Sequence, residues 1–293
     1  MRLASIYLLL VLLAVASLAS ATAPSINFVS PTPASGTTQN TTSVYVNVSS
    51  SDSSDHYVVL DWNNSLVFWM RFENQSGESA TYFMDESSWS NNGTCSAATC
   101  PALNSSGKFG KAMQFNRSNC ISLPTGSTTS LNVIGDVSIF AWVKTTQTGA
   151  SYLVLDGDST TGLYGYGWGL DIGGGGPVSG KMSYLSGIGG WKQDTGATIN
   201  DGNWHYVGFT QSGTTVTFYK DGVQNSQLTG IGQTASWSGA RTIGNSNNCG
   251  ATTGFNGTMD DIQIYNRALT PAEINASYNA SAYQFQNFEI IPL

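Results

Sequence analysis

The chain has 293 residues, a formal net charge of −7 at pH 7 and only 10% charged residues. This charge, without a basic cluster, argues against a nucleic-acid partner, because neutralising phosphates requires lysine and arginine. Glycine, serine, threonine and asparagine supply most of the polar residues. Such a composition favours short strands and tight turns over long helices.

Residues 1–21 have the pattern of a secretory signal peptide. Arg2 supplies one positive charge, an apolar stretch runs from Ile6 to Leu18, and Ala19–Ala21 is a small-residue cleavage site. The alternative is an uncleaved N-terminal anchor, although the apolar stretch is short for a membrane span. We expect a secreted or cell-surface protein with no membrane span beyond the signal peptide.

Residues 22–65 are predicted to be a linker followed by a few strands. Proline, serine and threonine dominate up to about residue 40. Val44–Val48 alternates in part between apolar and polar positions, and Tyr57–Leu60 is a second apolar run. Two strands are too few for an independent domain, so they need partners elsewhere.

Residues 66–280 carry many short apolar runs separated by Gly, Asn, Asp and Ser turns. The Asp221-Gly222 pair between two such runs is a strong hairpin signal. Many short strands without helical periodicity indicate an all-β sandwich or jelly roll. The clearest strands are 137–143, 206–210, 215–219 and 259–265.

One helix is predicted, over about Pro271 to Tyr278. Thr270 is the capping residue, Pro271 occupies the first helical position and Glu273 is placed for a capping box. This helix follows the last predicted strand and marks the end of the β-rich body.

Five segments of this body carry distinctive motifs: Asp85–Gly93, Gly110–Phe115, Asp201–Val207, Phe218–Gly222 and Phe255–Leu269. They include D-G-x-W-H-x-V, a Y-x-D-G hairpin and a closing M-D-D strand that begins at Met259. In residues and in order these motifs resemble those of laminin-G-like domains of the concanavalin A-like lectin/glucanase family, where isoleucine is usual in place of Met259. The resemblance implies a concanavalin A-like jelly-roll β-sandwich with a short C-terminal helix.

The flanks resemble Ig-like modules of archaeal surface proteins. Ser30-Pro31-Thr32-Pro33 through Trp62 resembles the opening strands of such a module. Residues 281–293 are then either a returning strand, over Tyr283–Phe288, or a flexible tail.

Four cysteines behind a signal peptide indicate two disulfides. Spacing alone allows three pairings. We expect Cys95–Cys100 as a local clip. The resemblance places the strands beside Cys120 and Cys249 next to each other and so implies a second bridge between these two residues.

A structural calcium ion is the chemical hypothesis that the resemblance implies. Calcium prefers oxygen ligands, and the family brings the early D-x-S loop close to the first aspartate of I-D-D. The alternative is that Asp85 caps a turn and Asp260 makes a structural hydrogen bond. The candidate ligands are Asp85, Asn91, Asn92 and Asp260.

The sequence predicts no catalytic residues. Paired carboxylates of hydrolases on this fold occur as E-x-D-x-x-E, and none of the five glutamates forms that motif. Asp260 and Asp261 are adjacent and are expected on opposite faces of a strand. Gly157, between Asp156 and Asp158, indicates a turn. His205 is expected to pack or hydrogen-bond structurally.

Candidate ligand-binding residues are aromatic, because sugar binding uses aromatic faces beside amides and hydroxyls. They are Tyr164, Tyr166 and Trp191, whereas Trp168 is expected in the core because its segment alternates like a buried strand. Ten N-x-S/T sequons fit a glycoprotein; in a host without N-glycosylation they are turn residues.

These features predict a noncatalytic extracellular module that binds a glycan or a surface protein. The alternatives are a structural spacer in a cell-envelope protein and a glycoside hydrolase of the same fold.

Overall fold

The structure is a computed structural model. It divides the chain into two units, Met1–Val58 with Gln284–Leu293, and Val59–Tyr283. The described residues are 25–30, 34, 47–51, 64–158, 163–171, 180–186, 190–246, 249 and 253–282.

In the first unit, strand β1 (Ser25–Val29) pairs antiparallel with β2 (Asn47–Ser51). The linker prediction is therefore wrong for residues 25–29, where Ile26 and Phe28 alternate with polar residues inside a Pro- and Ser-rich stretch. The predicted signal peptide, the second apolar run at Tyr57–Leu60 and the tail from residue 283 lie outside the described residues.

Eight strands form sheet I of the second unit. In chain order they are β4 (Tyr82–Phe83), β5 (Gly93–Thr94), β8 (Ile121–Leu123), β10 (Ser151–Asp158), β11 (Leu163–Leu170), β12 (Met182–Ser186), β13 (Gly190–Gln193) and β17 (Arg241–Ile243). Their spatial order is β13-β12-β11-β10-β17-β8-β5-β4, so β13 and β4 are the two edges.

The remaining strands form sheet II. They are β3 (Leu66–Met70), β6 (Ala102–Asn104), β7 (Ala112–Asn116), β9 (Val137–Lys144), β14 (Trp204–Ser212), β15 (Thr215–Lys220), β16 (Val223–Leu228) and β18 (Asn256–Tyr265). The order is β16-β15-β14-β9-β18-β7-β6, with β3 also paired to β18. The four strands predicted most clearly are β9, β14, β15 and β18, and the jelly-roll β-sandwich is confirmed.

The inward faces of the two sheets share one hydrophobic core. Ile139 and Phe209 of sheet II and Val154 and Trp168 of sheet I belong to it, all at most 2% exposed. Burying a side chain of this size stabilises the fold by about 1.5–3 kcal/mol. Trp168 is a core residue, as expected.

The outer face of sheet II is covered by helix α1 (Pro271–Ala282). The ring of Tyr278 lies 5.7 Å from Trp142 and 6.2 Å from Tyr206, centre to centre. At the start of the helix, Thr270 N donates to Glu273 Oε2 at 2.7 Å and Glu273 N donates to Thr270 Oγ1 at 3.3 Å. The capping box and the helix are confirmed, and the helix runs four residues beyond Tyr278.

Candidate functional site

Asp85 organises the loop that was expected to hold calcium. Its Oδ1 accepts hydrogen bonds from the backbone N–H groups of Trp69, at 2.8 Å, and Ser87, at 2.9 Å. Its Oδ2 accepts from Ser87 Oγ at 2.8 Å and from Asn91 N at 2.7 Å. Each carboxylate oxygen therefore already has two donors.

The two loop asparagines are also engaged within the fold. Asn91 Nδ2 donates to Val67 O at 2.8 Å and to Ser130 Oγ at 2.7 Å. Asn92 Oδ1 accepts from Asp85 N at 2.8 Å. These contacts tie the loop to strand β3 and to the segment around residue 130.

Asp260 lies beside a β-bulge in β18. Met259 and Asp260 oppose Val143 and Trp142, and the next pair joins Gln263 to Phe140. The extra residue is accommodated by Asp261, whose φ is 49°. The core side chains Met259 and Ile262 are consequently three positions apart instead of two.

The bulge brings two carboxylates into interaction. Burial, the charge of Asp261 and that of Glu73 raise the pKa of Asp260 well above its ordinary value. Burial raises the pKa of Asp261 to about 6. The hydrogen bond that its Oδ1 accepts from Trp69 Nε1, at 2.8 Å, acts in the opposite direction and lowers this pKa. The expectation of opposite, independent faces is wrong here, because a bulge breaks the two-residue alternation.

The four candidate calcium ligands differ in the hydrogen bonds that they make within the fold, and their role as calcium ligands stays a prediction. Asp260 Oδ2 accepts from Phe109 N at 3.0 Å, and its Oδ1 is buried without a hydrogen-bond partner among the described residues. The oxygens of Asp85 accept three hydrogen bonds from the loop and one from Trp69 N on β3. Within the described ranges, no group of three or more His, Cys, Asp or Glu residues is arranged to hold a metal ion. The geometry matches the structural alternative, in which Asp85 holds a turn.

Asp156 and His205 both make ion pairs that serve the fold. Asp156 lies within strand β10, so the expected turn at Gly157 is wrong. Its Oδ1 is 2.7 Å from Arg241 Nε, and both side chains are 1% exposed. His205 Nδ1 is 2.8 Å from Asp221 Oδ2 and Nε2 is 3.1 Å from Asp201 Oδ1, the structural role that the sequence predicted.

Tyr166 is not available to a ligand at the surface. It is 1% exposed, belongs to the core and donates its hydroxyl to Leu131 O at 3.2 Å. Residues two apart on a strand face the same side, so Tyr166 accompanies Trp168 into the core. Tyr164 belongs to β11, and its side chain lies outside the described part of the molecule.

Trp191 lies on the opposite, outer face of sheet I. Its ring centre is 5.6 Å from that of Tyr152, and it packs against Leu155 and Leu185 in a small cluster apart from the core. Gly167 pairs with both leucines, and a Cβ at this position would lie 3.0 Å from the indole. We call Trp191, Tyr152, Leu155, Leu185 and Gly167 the aromatic platform.

Both expected disulfides are present. Cys95–Cys100 has a Cα–Cα distance of 5.2 Å, and Cys120–Cys249 has one of 5.3 Å. The second bridge joins the start of β8 to the loop before β18, as the resemblance implied.

Tyr152 is the platform residue that the sequence did not single out. It lies in the run Ser151–Leu155, whose apolar side chains fill both faces of β10, so periodicity gives no sign of which one faces outwards. The available sign of an outward-facing platform residue was an aromatic residue in such a run, paired with a glycine of the next strand. Tyr152 pairs with Gly169.

Residues 115–275 match the family model described as the concanavalin A-like lectin/glucanases superfamily. The matched segment spans strands of both sheets and the start of α1. The fold and this match together define the class, a jelly-roll β-sandwich domain. The chain belongs to the concanavalin A-like lectin/glucanases superfamily.

Solved structures share this fold at low sequence identity. The binding domain of Paraclostridial Mosquitocidal Protein 1 is 17% identical with a TM-score of 0.55, over 74% of this chain and 52% of that one. Domain 4 of AbnA, a GH43 extracellular arabinanase from Geobacillus stearothermophilus, in complex with arabinotriose, is 20% identical with a TM-score of 0.55, over 72% and 97%. Trypanosoma rangeli sialidase is 16% identical with a TM-score of 0.52, over 73% and 32%.

The chain therefore spans about half of the toxin domain and about a third of the sialidase. No curated protein matches the sequence. The structural likenesses establish the fold, and the ligands in their names belong to those proteins.

Proposed function

We propose that this chain is a noncatalytic extracellular module that recognises glycans. The observation that carries the proposal is the aromatic platform, where Trp191 lies over Gly167 on the outer face of a sheet. The half-buried indole of Trp191, supported from beneath by the buried Tyr152, presents an apolar face suited to the C–H face of a sugar, with a polar atom at its edge. The arabinotriose complex of the arabinanase domain, which has nearly the same extent as this fold, supports the ligand class.

A glycan array tests this proposal directly. Wild-type protein should bind a defined set of oligosaccharides, and Trp191→Ala should lose the part of that binding that the platform supplies. Trp89→Ala is the matched control, because Trp89 is an exposed tryptophan on a loop away from the platform. A wild-type protein that binds no glycan would leave the structural spacer as the better interpretation, and equal losses in both variants would refute the platform.

The absence of catalysis is part of the proposal. Two buried carboxylates in the described ranges have structural partners: Asp156 pairs with Arg241, and Asp260 accepts from Phe109 N through Oδ2. Glu73 Oε2 accepts from Lys111 N at 3.1 Å. The likeness to a sialidase keeps glycoside hydrolysis as the second candidate.

Calcium dependence stays a prediction with its own test. For Asp85 to bind the ion, its oxygens would have to exchange N–H donors for a cation. Calcium added to chelator-treated protein should release heat in a calorimeter and raise the melting temperature if the site exists. No heat and an unchanged melting temperature would remove calcium from the proposal.

Secretion is proposed on two grounds. The first is the signal-peptide pattern of residues 1–21. The second is the pair of disulfides, which form and persist in oxidising compartments. No helix in the described part of the chain is long and apolar enough to cross a membrane. Sequencing the N-terminus of secreted protein should locate the start of the mature chain at residue 22.

A further inference from the structure

A cleft of about 360 Å³ opens where the two sheets end at the same side of the sandwich. One wall belongs to the segment that ends at Thr81, directly before β4, the edge strand of sheet I. The other belongs to β6, the edge strand of sheet II, and the segment before it. This volume is within the range of small-ligand sites. We call it the edge cleft.

The side chains that line the edge cleft are all uncharged. Leu103, Met113 and Pro101 supply apolar surface, and Asn74, Ser79 and Thr81 supply an amide and two hydroxyls. The two hydroxyl oxygens, Ser79 Oγ and Thr81 Oγ1, lie 3.5 Å apart and are exposed. A charged ligand would lose hydration here without gaining an ionic partner, so the cleft suits a neutral molecule.

Exposed side chains beside the cleft add further apolar surface and hydroxyl groups. Leu103 is 45% exposed and Tyr82, which follows the lining residue Thr81, is 36% exposed. Tyr82 pairs with Thr94, and Thr94 pairs with Ser122, so three outward side chains lie in one row across β4, β5 and β8. Neighbouring strands are about 4.8 Å apart, which spaces a phenol ring and two hydroxyls along the sheet.

The Cys95–Cys100 disulfide holds the cleft in shape. Cys100 lines it, and Cys95 N donates to Thr81 O at 3.1 Å. Asn119 Nδ2 donates to Cys100 O at 2.8 Å. A site whose walls are already fixed loses little conformational entropy when a ligand binds.

We propose that the edge cleft is a second carbohydrate subsite that takes one uncharged sugar residue. It combines apolar surface, hydroxyls and an amide, as a neutral sugar requires. The inference rests on the proposed glycan recognition but names a different place, because Trp191 lies on β13 and the cleft adjoins β4, the opposite edge of sheet I. Across the eight strands of sheet I, seven inter-strand spacings of about 4.8 Å separate the two edges by about 34 Å.

Titration calorimetry with arabinotriose, cellotriose and 3′-sialyllactose tests the subsite. A neutral trisaccharide should bind wild-type protein at the platform and at the cleft, and sialyllactose should not enter the cleft. Leu103→Glu should remove binding at the cleft and keep binding at the platform. Trp191→Ala should do the reverse. Val223→Glu is the matched control, since Val223 is an exposed valine on β16, the other edge strand of sheet II.

Amide NMR shifts provide a second measurement that does not depend on a variant. In wild-type protein, the neutral trisaccharide should shift the amide signals of Ala102 and Leu103. Unshifted signals, or a Leu103→Glu titration identical to wild type, would overturn the subsite while leaving the platform intact. Loss of all trisaccharide binding in Trp191→Ala would also overturn the subsite and leave the platform intact. A wild-type protein that binds no trisaccharide would overturn both proposals.

Discussion

Arg241 joins three parts of the second unit through its buried guanidinium group. Nε pairs with Asp156, Nη1 donates to Pro124 O at 3.1 Å, and Nη2 donates to Trp237 O at 2.6 Å. Burial raises the pKa of Asp156, and the charge of Arg241 opposes that change. The pair therefore fixes the loops after β8 and before β17 onto strand β10.

Removing one partner of this pair should be costly. Arg241→Met leaves the Asp156 carboxylate buried without a counter-charge, and we expect about 3–5 kcal/mol less unfolding free energy in guanidinium chloride. The double variant Asp156→Leu with Arg241→Met should recover a large part of the loss. A single variant as stable as wild type would contradict the structural role.

His205 should make stability depend on pH. The hydrogen bond to Asp221 raises the pKa of His205 above its ordinary value, although burial of the ring lowers it in part. This stabilisation is complete below the unfolded pKa of about 6.5 and is lost as the pH rises through the higher folded value. The melting-temperature difference between wild type and His205→Gln should shrink from pH 6 to pH 9, and a difference that grows with pH would contradict this assignment.

Among the elements, the turn of the β15–β16 hairpin is also a surface on which helix α1 packs. Asp221 and Gly222 have φ values of 52° and 77°, as the Asp-Gly signal predicts. A Cβ on Gly222 would also lie 2.9 Å from the ring of Tyr278 in α1. The glycine is therefore required by the turn and by the helix that packs on it.

Two glycine substitutions separate these requirements. Gly213 has a φ of 55° in the β14–β15 turn, and a Cβ there meets nothing within 4 Å. Gly213→Ala should cost about 1 kcal/mol from backbone strain alone, and Gly222→Ala about 2 kcal/mol or more, because it also displaces Tyr278. Equal costs in urea unfolding would show that α1 does not pack on the turn.

Elements with local signals were predictable from the sequence, and features set by register were not. The capping box at Thr270 and the Asp-Gly turn involve residues close in the chain, so both were recognised. The bulge at Asp261 and the two-edge cleft depend on how distant strands align, which no single segment encodes. Tyr166 was a different failure, because the alternation that placed Trp168 in the core applies equally to a residue two positions earlier.

At the scale of the whole molecule, the two disulfides should contribute unequally. Cys120 and Cys249 are 129 residues apart, whereas Cys95 and Cys100 are 5 apart. Loop-closure entropy gives about 5 kcal/mol for the long bridge and about 2 kcal/mol for the short one.

Paired cysteine-to-serine variants test this difference in denaturant. The double variant Cys120→Ser with Cys249→Ser should lose more unfolding free energy than Cys95→Ser with Cys100→Ser. The opposite ranking would mean that the short bridge supports the sandwich edge in a way that chain entropy does not describe.

The aromatic platform is assembled from residues of several strands of sheet I. Trp191, Leu185, Gly167 and Leu155 come from four neighbouring strands and meet because their registers coincide. The sequence pointed to Trp191 as a candidate, but the partners beneath it required the assembled fold.

One NMR experiment tests noncatalytic glycan recognition most directly: the protein is incubated with its best array oligosaccharide while ligand signals are followed for binding and for cleavage. Noncatalytic recognition at the platform predicts saturable line broadening of an oligosaccharide that stays intact, and weaker broadening in Trp191→Ala. Cleavage of the oligosaccharide by wild type, or unchanged broadening in Trp191→Ala, would contradict it.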